Sequence, residues 1–214
     1  MSRSKGRAFS LHHYTKTLSV KEREFNRVFP LPPYFGPLIG DKKEVFIADL
    51  GAGMFSTTGS TWPGVKVNLY PSDEMADEYH EILKDHNIKP LIPVEKQNME
   101  RLTYPDQMFD IVHCVNALDH VSGPFQAIKE MHRVCKKGGY IYLRHHFNTG
   151  RLQRYMGEHQ WNITMTIDRN CVFWGKEGGF LLSDVVGWFK TEAKKEADWE
   201  RCDMIVSVYR KTTP

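Results

Sequence analysis

Val45-Phe-Ile-Ala-Asp-Leu-Gly-Ala-Gly53 decides how this chain is read. A short apolar run that ends in an acidic residue and a glycine pair is the pattern of a buried parallel strand entering a tight turn. Working outward, Val65–Tyr70 alternates and is β-branched, a second strand. Met75, Tyr79, Ile82 and Leu83 share one helical face between Asp73 and His86, with Asp73 and Glu74 at the positive end of the helix dipole. Leu91–Val94 reads as a third strand and Phe109–Val115 as a fourth. A helix follows, with Pro124 at its first position, Phe125, Ile128, Met131 and Val134 or Cys135 as its buried stripe, and Lys136-Lys-Gly-Gly139 as cations and left-handed cap. Tyr140–Leu143 is a fifth strand. Strands and helices in alternation predict an α/β fold, an open and mostly parallel sheet with helices on both faces, whose ligand sits beyond the carboxyl ends of the strands.

Outside this block, residues 8–44 suit a short helix and a Pro-rich extended arm lying over the domain better than a core element. Ile163–Ile167 and Cys171–Trp174 form a hairpin around Asp168-Arg-Asn170. Trp188–Ala193 and Met204–Tyr209 are two final strands, and Lys190–Glu200 reads as a solvated charged face or loop. The chain has 214 residues and 41% hydrophobic content, enough for one core, with no linker that would divide it. Its net charge is only +3, and the one local basic excess, Arg3, Lys5 and Arg7, reads as a frayed terminus, which argues against a nucleic-acid partner. No run approaches the roughly 18 apolar residues of a membrane span, and charges interrupt the first thirty residues where a signal peptide would be apolar, so a cytoplasmic location is expected. Cys114, Cys135, Cys171 and Cys202 are widely spaced, with no CxxC pair and no histidine at zinc-finger spacing; reduced thiols and no metal are the expectation.

The glycine turn lets backbone approach a ligand closely. The dinucleotide pattern GxGxxG fails at Ser56, which disfavours a nicotinamide-dependent oxidoreductase. Asp73 lies 22 residues after Gly51, at the spacing where a carboxylate accepts both hydroxyls of an adenosine ribose, although a residue that merely starts its helix would look the same.

Taken as an ordered series, Ala48–Gly53, Asp73, Gln97-Asn-Met-Glu100, Phe109–Val112 leading into Asn116-Ala-Leu-Asp-His120, and Arg133–Gly139 resemble the class I S-adenosylmethionine-dependent methyltransferases over about residues 45–146. The resemblance implies a Rossmann-like, seven-stranded sheet with an antiparallel last strand, and S-adenosyl-L-methionine as cofactor. It places Asp49, Gly51, Ala52 and Gly53 along the methionine part of the donor, Asp73 on the ribose, Asn98 and the backbone of Met99 at the adenine edge, and Asn116 at the sulfonium end. It also implies residues 1–44 as arm and cap over the pocket and 45–214 as the methyltransferase domain, with 147–180 inserted on the acceptor side. Phe55 stands where many members have a third glycine, and Ser56-Thr-Thr-Gly-Ser-Thr61 is poor helix material, so the first helix is expected to be short or irregular.

Methyl transfer is an in-line displacement from a cationic sulfur, so orientation supplies much of the acceleration and a base is needed only where the acceptor must lose a proton. His120 and His145, with His146, stand where such a base would be. Tyr155, His159, Gln160, Trp161 and Trp174 are candidates to recognise a small or medium-sized acceptor with an oxygen or nitrogen nucleophile, or else simply cover the sheet. Metal chemistry would need His120, His145, His146 and His159 to converge. A donor-binding subunit without catalysis keeps the same binding residues, and the two readings differ in whether the groove beside Asn116 and His145 is open or plugged by the arm. The oligomeric state is not legible.

Overall fold

The computed structural model describes residues 3–186, 192–197 and 203–212. Helix α1 (Arg3–Phe25) leads into a single-turn 3-10 helix, Pro33–Phe35, and the short α2 (Gly36–Ile39). Then come β1 (Glu44–Leu50), β2 (Lys66–Asp73), α3 (Ala76–Asp85), β3 (Glu95–Lys96), β4 (Phe109–Val115), α4 (Pro124–Val134) and β5 (Cys135–His146). The remainder is α5 (Thr149–Leu152), β6 (Asn162–Met165), β7 (Cys171–Trp174), β8 (Gly179–Leu181), α6 (Leu182–Val186), β9 (Glu192–Ala197) and β10 (Asp203–Arg210). Seven strands form the main sheet in the order β3-β2-β1-β4-β5-β10-β9. The first five are parallel, and β10, last in the chain, is antiparallel to both of its neighbours. The order reverses between β1 and β4, which opens a crevice at their carboxyl ends. β6, β7 and β8 make a separate antiparallel sheet.

Alternation along the central strands sends their side chains to two cores. Ala48, Leu50, Val112, Cys114, Ile141 and Leu143 face α4 and the small sheet, which contributes Ile163, Cys171 and Phe173. Val45, Ile47, Ile111 and Tyr142 face Leu31, Phe35, Leu38 and Ile39. A third cluster joins α1 to α3 through Leu18, Met75, Tyr79 and Leu83, with Met54 and Phe55 from the loop after β1.

Several expectations need correction. The arm is part of the core, because no helix forms between β1 and β2 and something else must cover that sheet face. Residues 51–65 run as turns, and residues 29–39 take the place of the helix, with Phe35 fully buried. The arm and the crossover are stitched by backbone bonds from Leu31 N to Thr61 O and Ser60 N to Phe29 O, both 2.9 Å. The basic terminus is helical from Arg3, and α1 is 23 residues long. Leu91–Val94 is not a strand: Leu91 is exposed, and pairing with β2 begins at Glu95. Asp73 does end the second strand, as its spacing from Gly51 suggests, but α3 starts at Ala76 and not at Asp73.

Lys136–Gly139 does not cap α4. The chain turns extended at Cys135, where β5 begins, and Gly138, at φ +77°, is a kink within that strand, at a register shift opposite Phe109–Ile111. The cation at the helix end comes from the far end of the chain, where the buried Lys211 donates from Nζ to the carbonyls of His132 and Cys135 at 2.8 and 2.9 Å. Lys136 pairs instead with Asp110. The hairpin at 162–174 and the last strand form as expected. Most of Trp188–Ala193 lies outside the described residues, and the strand there is β9, inside the charged run expected to be a solvated face or loop. Cys114, Cys135 and Cys171 are buried free thiols, and Cys202 is outside the described residues.

Candidate active site

The turn after β1 is fixed by β2. Gly51 N and Ala52 N both donate to Ser72 O, at 2.8 and 3.0 Å, and Gly53 N donates to Asp73 Oδ2 at 3.0 Å. Its amides are therefore used internally, and the turn presents a bare Cα ledge. Gly51 (φ +72°) lies where a Cβ would come within 2.3 Å of Ala117 Cβ. A Cβ on Gly53 (φ +69°) would meet the Tyr14 hydroxyl at 2.1 Å. The turn can approach the start of the β4–α4 connection and α1 this closely only because both residues are glycine.

Asp73 faces that ledge. Its Oδ1 accepts from Met75 N at 2.9 Å while Oδ2 holds Gly53, so the carboxylate is oriented by backbone on two sides. Burial raises its pKa above the ordinary carboxylate value, against the lowering effect of those two bonds. A cleft of about 800 Å³, measured to its open mouth, lies between Gly51, Asp73, Asn98, Met99, Asn116 and His120. Tyr14 and Glu158 also line it. Burial beside Asp73 pushes the Tyr14 phenol up to about 12, so it stays a neutral hydroxyl.

The structure thus brings together Gly51, Asp73, Asn98, Met99, Asn116 and His120, and leaves four of the expected residues off the cleft, Gly53 among them, buried against Tyr14. Asp49 points to the opposite sheet face, where it accepts from Ser56 Oγ at 2.6 Å and contacts His113 Nδ1 at 2.8 Å. These bonds outweigh its burial and keep its pKa low. With Nδ1–H donated to Asp49, His113 Nε2 accepts from the Tyr34 hydroxyl at 3.0 Å, which ties the arm to β4 and β1. Ala52 does not line the cleft. His145 is buried, its Nε2 accepting from Leu118 N at 3.2 Å, and burial lowers its pKa to about 4. It braces the 117–120 turn and does not face the cleft.

His120 occupies the boundary with a second cleft, lined by Val121, Ser122, Glu158, Gln160, Trp161 and Lys176. Of the insertion's candidates, Gln160 and Trp161 line it. Tyr155 holds Asn162, and Trp174 offers its carbonyl to the same side chain. Trp161 Nε1 donates to Val121 O at 3.1 Å, and Gln160 N to Asp119 O at 3.1 Å, so the insertion is bolted to the β4–α4 connection. His159 comes within 3.1 Å of His120. His146 lies apart, on β5.

Residues 49–143 match the family described as a methyltransferase domain. The chain is 30% identical over 76 residues to a phosphatidylethanolamine N-methyltransferase of Cereibacter sphaeroides, covering 36% of this chain and 37% of that protein. It is 28% identical over 107 residues to the ubiquinone/menaquinone biosynthesis C-methyltransferase of Coxiella burnetii, covering 50% and 34%. The chain thus spans little more than a third of the length of these relatives. An S-adenosylmethionine dependent methyltransferase from Mesorhizobium loti has the same fold, with a TM-score of 0.50 at 13% identity over 83% of this chain and 96% of that one.

Residues 49–143 are thus similar to a methyltransferase domain, and the fold is one that an S-adenosylmethionine-dependent methyltransferase shares. The cofactor that goes with this domain is S-adenosylmethionine, and the cleft suits it. The bare Gly51 Cα gives close approach, and Asp73 offers a half-buried carboxylate on the same cleft. Sequence reading missed Tyr14 and Glu158, which line this cleft. Tyr14 carried a signal, since Leu11, Tyr14, Leu18 and Phe25 repeat at helical spacing and mark a packed face of α1. Glu158 carried none, because its placement depends on how the insertion folds back.

Proposed function

We propose that this chain transfers the methyl group of S-adenosylmethionine to a small organic acceptor, through an oxygen or nitrogen, seated in the second cleft beside His120 and Trp161. One observation carries the reading: the turn leaving β1 and the carboxylate ending β2, joined by the Gly53 N to Asp73 bond, border one cleft, which meets a second cleft at His120. Asp73 holds the ribose hydroxyls, Asn98 and Met99 the adenine edge, Gly51 the methionine end under Tyr14, and Asn116 the side facing the acceptor. The donor supplies an electrophilic methyl on a positively charged sulfur. The protein aligns the acceptor behind that methyl, excludes water, and acts on the acceptor's proton through His120. The N-terminal segment acts as cap through Tyr14, while the Pro-rich arm packs on the sheet. That leaves the groove beside Asn116 open, which favours an enzyme over a donor-binding subunit.

The curated relatives include an N- and a C-methyltransferase, so the acceptor is not carried over from them. Titration calorimetry with S-adenosylmethionine, S-adenosylhomocysteine and a nicotinamide dinucleotide tests the donor: only the first two should bind. A screen of small acceptors for S-adenosylhomocysteine release tests the reaction.

A further inference from the structure

We propose that Asp119, His120 and His159 form a binding site for one divalent transition-metal cation, at the junction of the donor and acceptor clefts. Three potential ligand atoms converge there. His159 Nδ1 lies 2.7 Å from Asp119 Oδ2 and 3.1 Å from His120 Nε2, and His120 Nε2 lies 3.5 Å from the same Oδ2. Donors bonded to one cation at about 2.0–2.2 Å stand roughly 2.8–3.5 Å apart at octahedral to tetrahedral angles; the 3.1 and 3.5 Å edges fall in that range and the 2.7 Å edge lies just below it. Hydrogen bonding explains it less well. One proton on His159 Nδ1 satisfies its edge with Asp119, and His120 Nε2 is then left facing an occupied nitrogen and a carboxylate oxygen at 3.5 Å. A cation at the centre uses all three lone pairs.

The surroundings have the form of a built site. Asp119 is buried, whereas the two imidazoles have side chains 35% and 36% exposed, which leaves an entry path and open coordination positions. The two segments that carry the ligands are locked together by the Gln160 N to Asp119 O and Trp161 Nε1 to Val121 O bonds, and the 117–120 turn is braced by His145. Two imidazoles and a carboxylate select first-row transition metals over magnesium or calcium. Three protein ligands leave positions for substrate, the pattern of a catalytic rather than a structural site.

Resting on the methyltransferase reading, the use of such a site is to take an acceptor hydroxyl as a further ligand. With its Nε2 lone pair on the metal, His120 acts on the acceptor's proton through the cation and not as the base itself: the coordinated O–H gives its proton to solvent, and the oxygen forms the O–CH₃ bond as the S–CH₃ bond breaks, leaving a neutral thioether. The acceptor class that follows is an alcohol or phenol able to bind metal through its oxygen.

The untagged full chain, stripped with chelator, should bind one equivalent of Zn²⁺ or Co²⁺ by calorimetry, and Co²⁺ should show the absorption bands of a mixed nitrogen and oxygen site. Asp119→Asn and the more exposed His159→Gln should each weaken this by at least about a hundredfold, more than outer-shell changes do. No binding, or a stoichiometric site that persists in folded His159→Gln, overturns the proposal. S-adenosylmethionine affinity measured on the same samples separates the two claims: loss of metal with donor binding intact sinks only the site, and metal binding with no donor binding sinks only the methyltransferase reading.

Discussion

Asp73→Asn is the sharpest probe of the donor site, because the carboxylate has two tasks that the amide cannot both perform. In the folded chain its two oxygens accept from Gly53 N and Met75 N, at 3.0 and 2.9 Å, and their remaining lone pairs face the cleft. Asparagine has one acceptor oxygen, so its NH₂ must confront one of those two backbone donors. A buried donor left unsatisfied costs about 1–3 kcal/mol. Part of that returns, because burial makes the charged form costly at this position, as the raised pKa shows. The net loss of stability is therefore expected to be about 1 kcal/mol.

Donor affinity has no such offset. A ribose hydroxyl loses a hydrogen bond to an ionised acceptor, worth about 1.5–3 kcal/mol, and the dissociation constant should rise by roughly tenfold to a hundredfold. Calorimetry with S-adenosylhomocysteine reads the affinity, and a denaturant titration reads the fold. The sign with pH also follows. Wild-type affinity should fall as pH drops through the raised pKa of Asp73, since protonation removes the anionic acceptor, and the Asp73→Asn variant should lack this dependence. A folded variant that binds the donor within about threefold of wild type would refute the assignment.

Other substitutions test other links. Gly51→Ala places a Cβ 2.3 Å from that of Ala117 at a left-handed φ, so it should destabilise the fold by about 2–4 kcal/mol as well as weaken donor binding; a wild-type denaturant midpoint would contradict the packing described. The pKa of Asp49 is held below its unfolded value by His113 and Ser56, so its stabilisation is present above about pH 4 and disappears as pH falls through the folded value. Unfolding free energy should decline in that acid window in wild type and be flatter in Asp49→Asn, and parallel curves would count against it. Tyr34→Phe removes the donor to His113 Nε2 and should cost about 1 kcal/mol with donor affinity unchanged, as measured by the same titrations. Trp161→Ala should raise KM for the acceptor far more than the donor's Kd; an equal effect on both would move Trp161 out of the acceptor cleft.

What could be read from the residues was set by how locally each feature is determined. β1 and β4 are buried on both faces, so their unbroken apolar runs announce them, and the glycine turn and Asp73 follow at short range. β3 is a two-residue edge strand with both side chains exposed, and it carries no apolar signature. The apolar residues just before it, Leu91 and Ile92, lie between Pro90 and Pro93 outside the sheet. The end of α4 was misread because the rule of a terminal glycine is local, whereas the cation that actually satisfies its last carbonyls, Lys211, arrives from 76 residues away. The same limit hid the role of Asp49. An acidic residue before the glycines marks the motif, but its side chain is turned to the face where the arm, and not a helix, must be held.

That substitution of arm for helix explains features that look unrelated. A crossover without a helix leaves one sheet face bare beside β1, and burying it takes large side chains supplied from elsewhere, here Leu31, Phe35, Leu38 and Ile39. An extended segment lacks internal hydrogen bonds, so it must be pinned by others. Backbone bonds to Ser60 and Thr61 do so at its extended start, Phe29 to Leu31, and the Tyr34–His113–Asp49 chain of polar contacts holds the following turn to the sheet. The carboxylate at the end of that chain also accepts from Ser56, three residues beyond Gly53. The shape of the donor turn is therefore set from two sides, by Asp73 and Ser72 facing the cleft and by the buried Asp49 beneath it. A helix dipole is not available to stiffen the turn, and this polar network takes over that task.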